Sequence, residues 1–165
     1  MGLLEPHGRG RRSFRRAALN GTPPAFVVHS LTHAVAALEA AAAAGRPVTL
    51  LSAPDAGIYA GPGWWKAIAD AARGAIPAAQ STTILDCGDD AGAAQGAIRA
   101  GVKMIIFTGR ADVAERLVAI ADAAGLRVLT ERPQAALDLG RWFFADSETL
   151  RRKCTDVLAS PLVIC

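Results

Sequence analysis

Asp86 and Cys87 stand side by side at the end of an apolar run, in the stretch "STTILDCGDDAGAAQGAIRAG". A carboxylate can move a proton between substrate atoms, and a thiolate can attack carbon or hold a soft metal ion. Either chemistry is best served at the carboxyl end of a buried strand, where parallel α/β proteins hold their ligands. Other groups fall at matching places. His29 and Ser52 end two earlier apolar runs, Thr108 ends a later one, and Glu131 closes the last. His29 is on the same side as Asp86 and placed to pair with it, while His33 comes one turn further on. Each residue also has a plain structural role open to it. An acid after a strand caps the next helix, a task that Asp89 or Asp90 could do equally well. Cys87 as a nucleophile needs a base to lower its thiol pKa from about 8.5, and free cysteines are commonly small buried residues.

These residues must be positioned by elements that alternate along the chain after Pro24. "AFVVHS" has the β-branched and aromatic character of a strand, and "LTHAVAALEAAAAAG" carries helical spacing with Gly45 as its stop. The pattern repeats. "RPVTLLSA" is a strand, "PDAGIYAGPG" a loop and "WWKAIADAARGA" a helix; "STTILDC", "VKMIIFTG" and "LRVLTE" are three more strands with helices between them. Beyond these, "PQAALDLG" reads as a short helix, "RWFFAD" as a sixth strand, and "SETLRRKCTDVLA" as a terminal helix capped by Ser147. Strands that are apolar throughout are buried on both faces, and helical crossovers make their sheet parallel. The class is therefore α/β, with five or six parallel strands alternating with helices. Periodicity leaves two forms open, a partial TIM-barrel-like sheet or an open flavodoxin-like one, since a closed eight-unit barrel needs ~250 residues.

Composition narrows the function classes. With 52% hydrophobic residues in 165, the chain can bury a core of ordinary size. No apolar run reaches the ~18 residues of a membrane span, so a soluble protein without a membrane partner is expected. The net charge of +3 comes from "GRGRRSFRR", with Arg9, Arg11, Arg12, Arg15 and Arg16. Residues 1–24 read as an Arg-rich flexible tail and 25–165 as a single domain of nearly balanced charge, so no nucleic-acid partner is expected. The tail lacks the apolar stretch of a secretory signal. Cys87, Cys154 and Cys165 follow no paired or metal-finger spacing, which suits the cytoplasm. Neither a phosphate-binding P-loop nor a Gly-x-Gly-x-x-Gly turn is present. Of the Trp64-Trp65 pair, one ring should pack into the core and the other cover a loop or a partner.

Two pieces carry a resemblance. Tyr59-Ala60-Gly61 follows Ser52 in the loop after the second strand, and Leu85-Asp86-Cys87-Gly88 precedes an "A-I-x-A-G" helix. In order and spacing they resemble the amino-terminal half of the class II fructose- and tagatose-bisphosphate aldolases, over about 25–131. The resemblance implies that Asp86 is the acid/base residue and that Cys87 stands where the family has a metal-ligating histidine. The preceding histidine is Ile84 here. Glu131 falls where the family has a glutamate near its metal, and the later metal-binding histidines and phosphate loops lie beyond the matching part. His29, Ser52, Tyr59, Gly61 and Thr108 complete the expected ligand-binding set.

A Lewis-acid metal that polarises a ketose carbonyl needs about three protein ligands and an open position. Cys87 with one acid makes an incomplete set for a zinc-like divalent ion, and no lysine is placed for a Schiff base, Lys103 being at the wrong end of its strand. Two functions follow as expectations. One is a small-ligand-binding or interaction protein on an aldolase-like scaffold, and the other a lyase using Asp86 on a small carbonyl or sugar-phosphate substrate. A partial barrel leaves strand edges unpaired, which predicts a homodimer.

Overall fold

The computed structural model describes residues 22–160. The five arginines of the amino-terminal tail, and Cys165, lie outside the described residues. Six strands form one open parallel sheet: β1 (Ala25–Val28), β2 (Val48–Ser52), β3 (Ser81–Asp86), β4 (Met104–Ile106), β5 (Arg127–Leu129) and β6 (Ala135–Asp138), in the order β5-β4-β3-β2-β1-β6. β1 and β2 are buried along their whole length, as their unbroken apolar character requires.

From β1 to β5 every crossover steps to the next strand in the same direction. Right-handed connections of that kind place all the helices on one face. They are α1 (Leu31–Ala44), the single-turn α2 (Ala56–Tyr59), α3 (Gly61–Ala75), α4 (Ala91–Arg99) and α5 (Ala111–Ala123), with α6 (Ser147–Ala159) after β6. The strand order is that of part of a barrel wall and departs from a flavodoxin-like order, in which the chain reverses direction within the sheet.

Local chemistry fixes the helix ends. Ser30 Oγ accepts the His33 N–H at 3.2 Å to start α1, and Gly45, at φ 60°, ends it as expected. Asp90 caps α4 through the Ala93 N–H at 2.8 Å. For α6 the cap is Asp146 rather than Ser147: its carboxylate takes the Thr149 N–H at 2.8 Å and the Thr149 hydroxyl at 3.0 Å, two bonds a serine could not accept in that geometry.

Two expectations near the end of the chain are reversed. "AALD" is the sixth strand, pairing with β1, and "RWFF" enters a 3-10 turn (Leu139–Trp142). The free edge of β1 supplies hydrogen-bond partners that outweigh the helical preference of Ala and Leu, while Asp138 accepts the Gly140 N–H at 2.8 Å and turns the chain before the aromatics. Trp65 is buried and Trp64 half-buried, the division expected of that pair.

Alternation along the strands divides the interior. Phe26, Val28, Leu50, Leu85, Cys87, Ile105 and Phe107 face the helices and join the main core with Leu38, Trp65, Leu117 and Leu150. Val27, Leu51, Ile84 and Ile106 form a smaller cluster on the other face. Among the described residues no helix lies on that second face. It is crossed by the connection 130–134, which leaves β5 at its carboxyl end and returns to start β6. Pro133 and Gln134 there border a cavity of about 560 Å3 beside Thr49 and Ile84. Among the described residues no helix is long and apolar enough to cross a membrane.

Candidate functional site

Because the strands are parallel, His29, Ser52, Asp86, Thr108, Glu131 and Asp138 all lie at the carboxyl edge of the sheet. Asp86 ends β3 with its side chain on the helix-free face, only 4% exposed. Both carboxylate oxygens are engaged. Oδ1 accepts the Gly88 N–H at 2.7 Å, and Oδ2 is paired with the guanidinium of Arg132, which reaches in from the crossing connection. Arg132 also donates through Nη2 to the Ser52 carbonyl at 2.8 Å. The Ser52 hydroxyl accepts the Asp86 N–H at 2.9 Å and donates to the Ala53 carbonyl at 3.0 Å. Ser52 thus pins β2 to β3.

Cys87 faces the other way. Its thiol is buried in the main core against Gly57, and burial, with the Asp86 and Asp90 carboxylates adding to it, pushes its pKa up to about 12. A thiol so displaced is little ionised near neutral pH. Among the described residues no group of three or more His, Cys, Asp or Glu side chains is placed to hold a metal ion. The donors at hand therefore do not fit the divalent metal of the aldolase family: the thiol and the carboxylate are on opposite faces of the sheet, and the carboxylate is taken by Arg132.

His29 pairs with Asp138 and not with Asp86. Its Nε2 lies 2.7 Å from Asp138 Oδ1, the oxygen that also accepts the Gly140 N–H. Gly140 lets the ring approach, since a Cβ there would stand 2.7 Å from His29 Nε2 and push the ring aside. Burial raises the Asp138 carboxyl, but the Gly140 N–H, the His29 hydrogen bond and charge, and the Arg132 charge outweigh it and leave the pKa below its ordinary value. Tyr59 is exposed on α2, its hydroxyl pKa raised by partial burial and by the Asp55 and Asp86 charges, with Arg132 opposing. Gly61 takes φ 82° at the start of α3 and turns the chain behind Tyr59. Thr108 and Glu131 are exposed. The Thr108 N–H donates to the Gly88 carbonyl at 2.8 Å, tying its loop to the one after β3.

The edge therefore gathers Asp86, Tyr59, His29 and Asp138, with the Arg132 guanidinium in electrostatic reach of Asp86, Tyr59 and Asp138. Arg132 and Asp138 were not among the residues singled out from sequence. Each had a signal: Arg132 precedes a proline, which favours an extended residue, and Asp138-Leu139-Gly140 has the Asp-x-Gly form of a side-chain-closed turn. Leu31, Ile58, Phe143 and Phe144, all exposed, stand in the loops and first turns at this same edge, Phe144 at 97%.

Neither a protein-family profile nor a curated protein sequence matches the chain. Among solved structures it is similar to a crystal structure from Coccidioides immitis, provisionally assigned as a fructose-1,6-bisphosphate aldolase, at 23% identity and a TM-score of 0.54. The match covers 64% of this chain and 39% of that one, so this chain corresponds to well under half of its neighbour's length. The likeness is one of fold.

Proposed function

We propose that the chain is a small-ligand-binding protein built on an aldolase-like half-barrel, and that its ligand sits at the carboxyl edge of the sheet between Tyr59 and the His29–Asp138 pair. The observation that carries this reading is the pairing of Asp86 with Arg132. An acid whose two oxygens are already bonded cannot take a substrate proton unless the arginine leaves. What remains open to a ligand is the ring of Tyr59, the unengaged donors of Arg132, and the exposed Thr108 and Glu131. The surrounding loops carry Asp55, Asp89, Asp90, Glu131 and Asp138. That excess of acid repels phosphate groups and favours a neutral, hydroxyl-rich molecule or a cation.

The test is a comparison of binding and turnover. Neutral sugars and polyols should raise the melting temperature of the wild type, and Tyr59→Ala should weaken that binding about tenfold, the loss of one good stacking contact. Retro-aldol cleavage of fructose 1,6-bisphosphate with zinc, cobalt or manganese should not exceed the blank. Metal-dependent cleavage abolished by Asp86→Ala would overturn the reading in favour of the lyase alternative.

The unpaired edges of β5 and β6 and the exposed Phe143 and Phe144 favour a homodimer as the working state. Sedimentation at micromolar concentration should show it, and a monomer there removes this part of the proposal. Two buried free thiols, Cys87 and Cys154, support a reducing compartment such as the cytoplasm.

A further inference from the structure

At the opposite, amino end of the sheet, α3 and the turn before β4 enclose a small half-open cavity of about 40 Å3. Its walls include Trp65, Lys66, Asp70 and Arg73 from α3, Thr83 from β3, and Lys103. Three cations thus meet one acid. None of the ion pairs among the described residues involves Lys66, Arg73 or Lys103. Arg73 is only loosely held, its bonds to Ser81 Oγ and Thr83 Oγ1 both at 3.4 Å and that to the Ser81 carbonyl at 3.5 Å, the long limit of hydrogen bonding. Trp65 is 1% exposed, and its buried indole N–H has no partner among the described residues. An unpaired buried donor is costly, so a native protein ordinarily supplies an acceptor.

We propose that this cavity binds a phosphate group. Gathering like charges is unfavourable until an anion arrives, and here the excess of two positive charges matches a phosphate dianion. A forked guanidinium, two ammonium groups and the Thr83 hydroxyl offer donors from several sides. The cavity has room for about two or three waters, comparable to one tetrahedral oxyanion, with the open side left for any organic substituent. The site is independent of the carboxyl-edge ligand site: it uses other residues, lies at the other end of the strands and has the opposite charge.

The experiment is a titration of the full-length, 15N-labelled protein with inorganic phosphate, chloride replacing it at constant ionic strength. The Trp65 indole N–H and the amides of Gly101, Val102 and Lys103 should shift along one binding curve while Tyr59 and Arg132 stay still. Arg73→Gln and Lys103→Gln should each weaken binding about tenfold or more, the loss of one charge-assisted contact. Lys103 is exposed, so its variant retains the fold. A parallel titration with glycerol 3-phosphate separates the two sources of this chemistry, tighter binding than inorganic phosphate marking a phosphorylated small molecule and weaker binding the free ion. A stationary Trp65 signal, shifts that persist unchanged in both variants, or a response only to a polynucleotide would overturn the proposal. Binding by the arginines of residues 9–16 would survive in both variants and leave Trp65 unmoved.

Discussion

The two faces of the sheet are buried by different means. On one, the helices lay Ala, Leu and Trp side chains over an apolar layer, and the buried polar side-chain atoms without a partner among the described residues are His33 Nε2 and Trp65 Nε1. On the other, a connection of five residues does the covering, anchored by the ion pair of Arg132 with Asp86. Burial by helices depends on area, at roughly 25 cal/mol per Å2 of apolar surface, and tolerates small local losses. Burial by a short connection depends on a few polar anchors. Asp86 and Cys87, neighbours in the chain, belong to different faces and so to different kinds of stability.

The largest effect is therefore expected on the helix-free face. Asp86→Ala leaves the Arg132 guanidinium partly buried without its carboxylate and should cost about 3 kcal/mol in denaturant unfolding. Removing both partners together, as Asp86→Leu with Arg132→Leu, should cost less than Asp86→Ala alone, because no unpaired charge remains. Additive losses would show that the pair does not anchor the connection. On the helical face a smaller effect is expected from Gly57→Ala. The new Cβ would stand 2.7 Å from Cys87 Sγ and 3.0 Å from the Asp86 carbonyl oxygen, a crowding worth about 1–3 kcal/mol. Adding Cys87→Ala should restore part of it. If Gly57→Ala is silent, α2 moves freely over the sheet and the contrast between the faces is weaker than drawn.

What was legible in the sequence follows the same division. The helical face rests on hydrophobic period and on caps, which act within a few residues, so β1 to β5 and the longer helices between them were readable from "AFVVHS" onward, Gly45 included, while "PDAGIYAGPG", read as a loop, contains the single turn of α2. The end of the chain was not. Whether "AALD" is strand or helix depends on the free edge of β1, over a hundred residues away, and propensity carries no record of that edge. The site was legible by position and not by partnership. Ser52, Asp86, His29 and Tyr59 come to one edge because they follow strands of one parallel sheet. Cys87 was misleading because adjacency in a strand puts neighbours on opposite faces. Arg132 could not be chosen from sequence, since its role depends on a connection that turns back across the sheet instead of running on to another helix.

His33 supplies the smallest and most specific test of the contrast. It is buried under the aromatic turn after β6, its Nδ1 accepting the His29 N–H at 3.2 Å and its ring edge-on to Phe143 at 5.5 Å. With Nδ1 an acceptor, the neutral ring carries its proton on Nε2, which has no partner. Burial lowers its pKa below the ordinary 6.5, the neighbouring His29 adding to this and Asp138 opposing it. A histidine held neutral in the folded state binds its proton more readily when unfolded. Its contribution to stability is accordingly complete above about pH 6.5 and is lost as the pH falls through the lowered value. Denaturant midpoints should fall on acidification below pH 6.5, well above the range where Asp138, itself lowered, begins to protonate. His33→Asn keeps an acceptor for the His29 N–H and cannot titrate, so it should flatten the slope between pH 6.5 and the carboxylate range. An unchanged slope would show that His33 does not set the acid sensitivity, and would leave the helical face with no titrating weakness of its own.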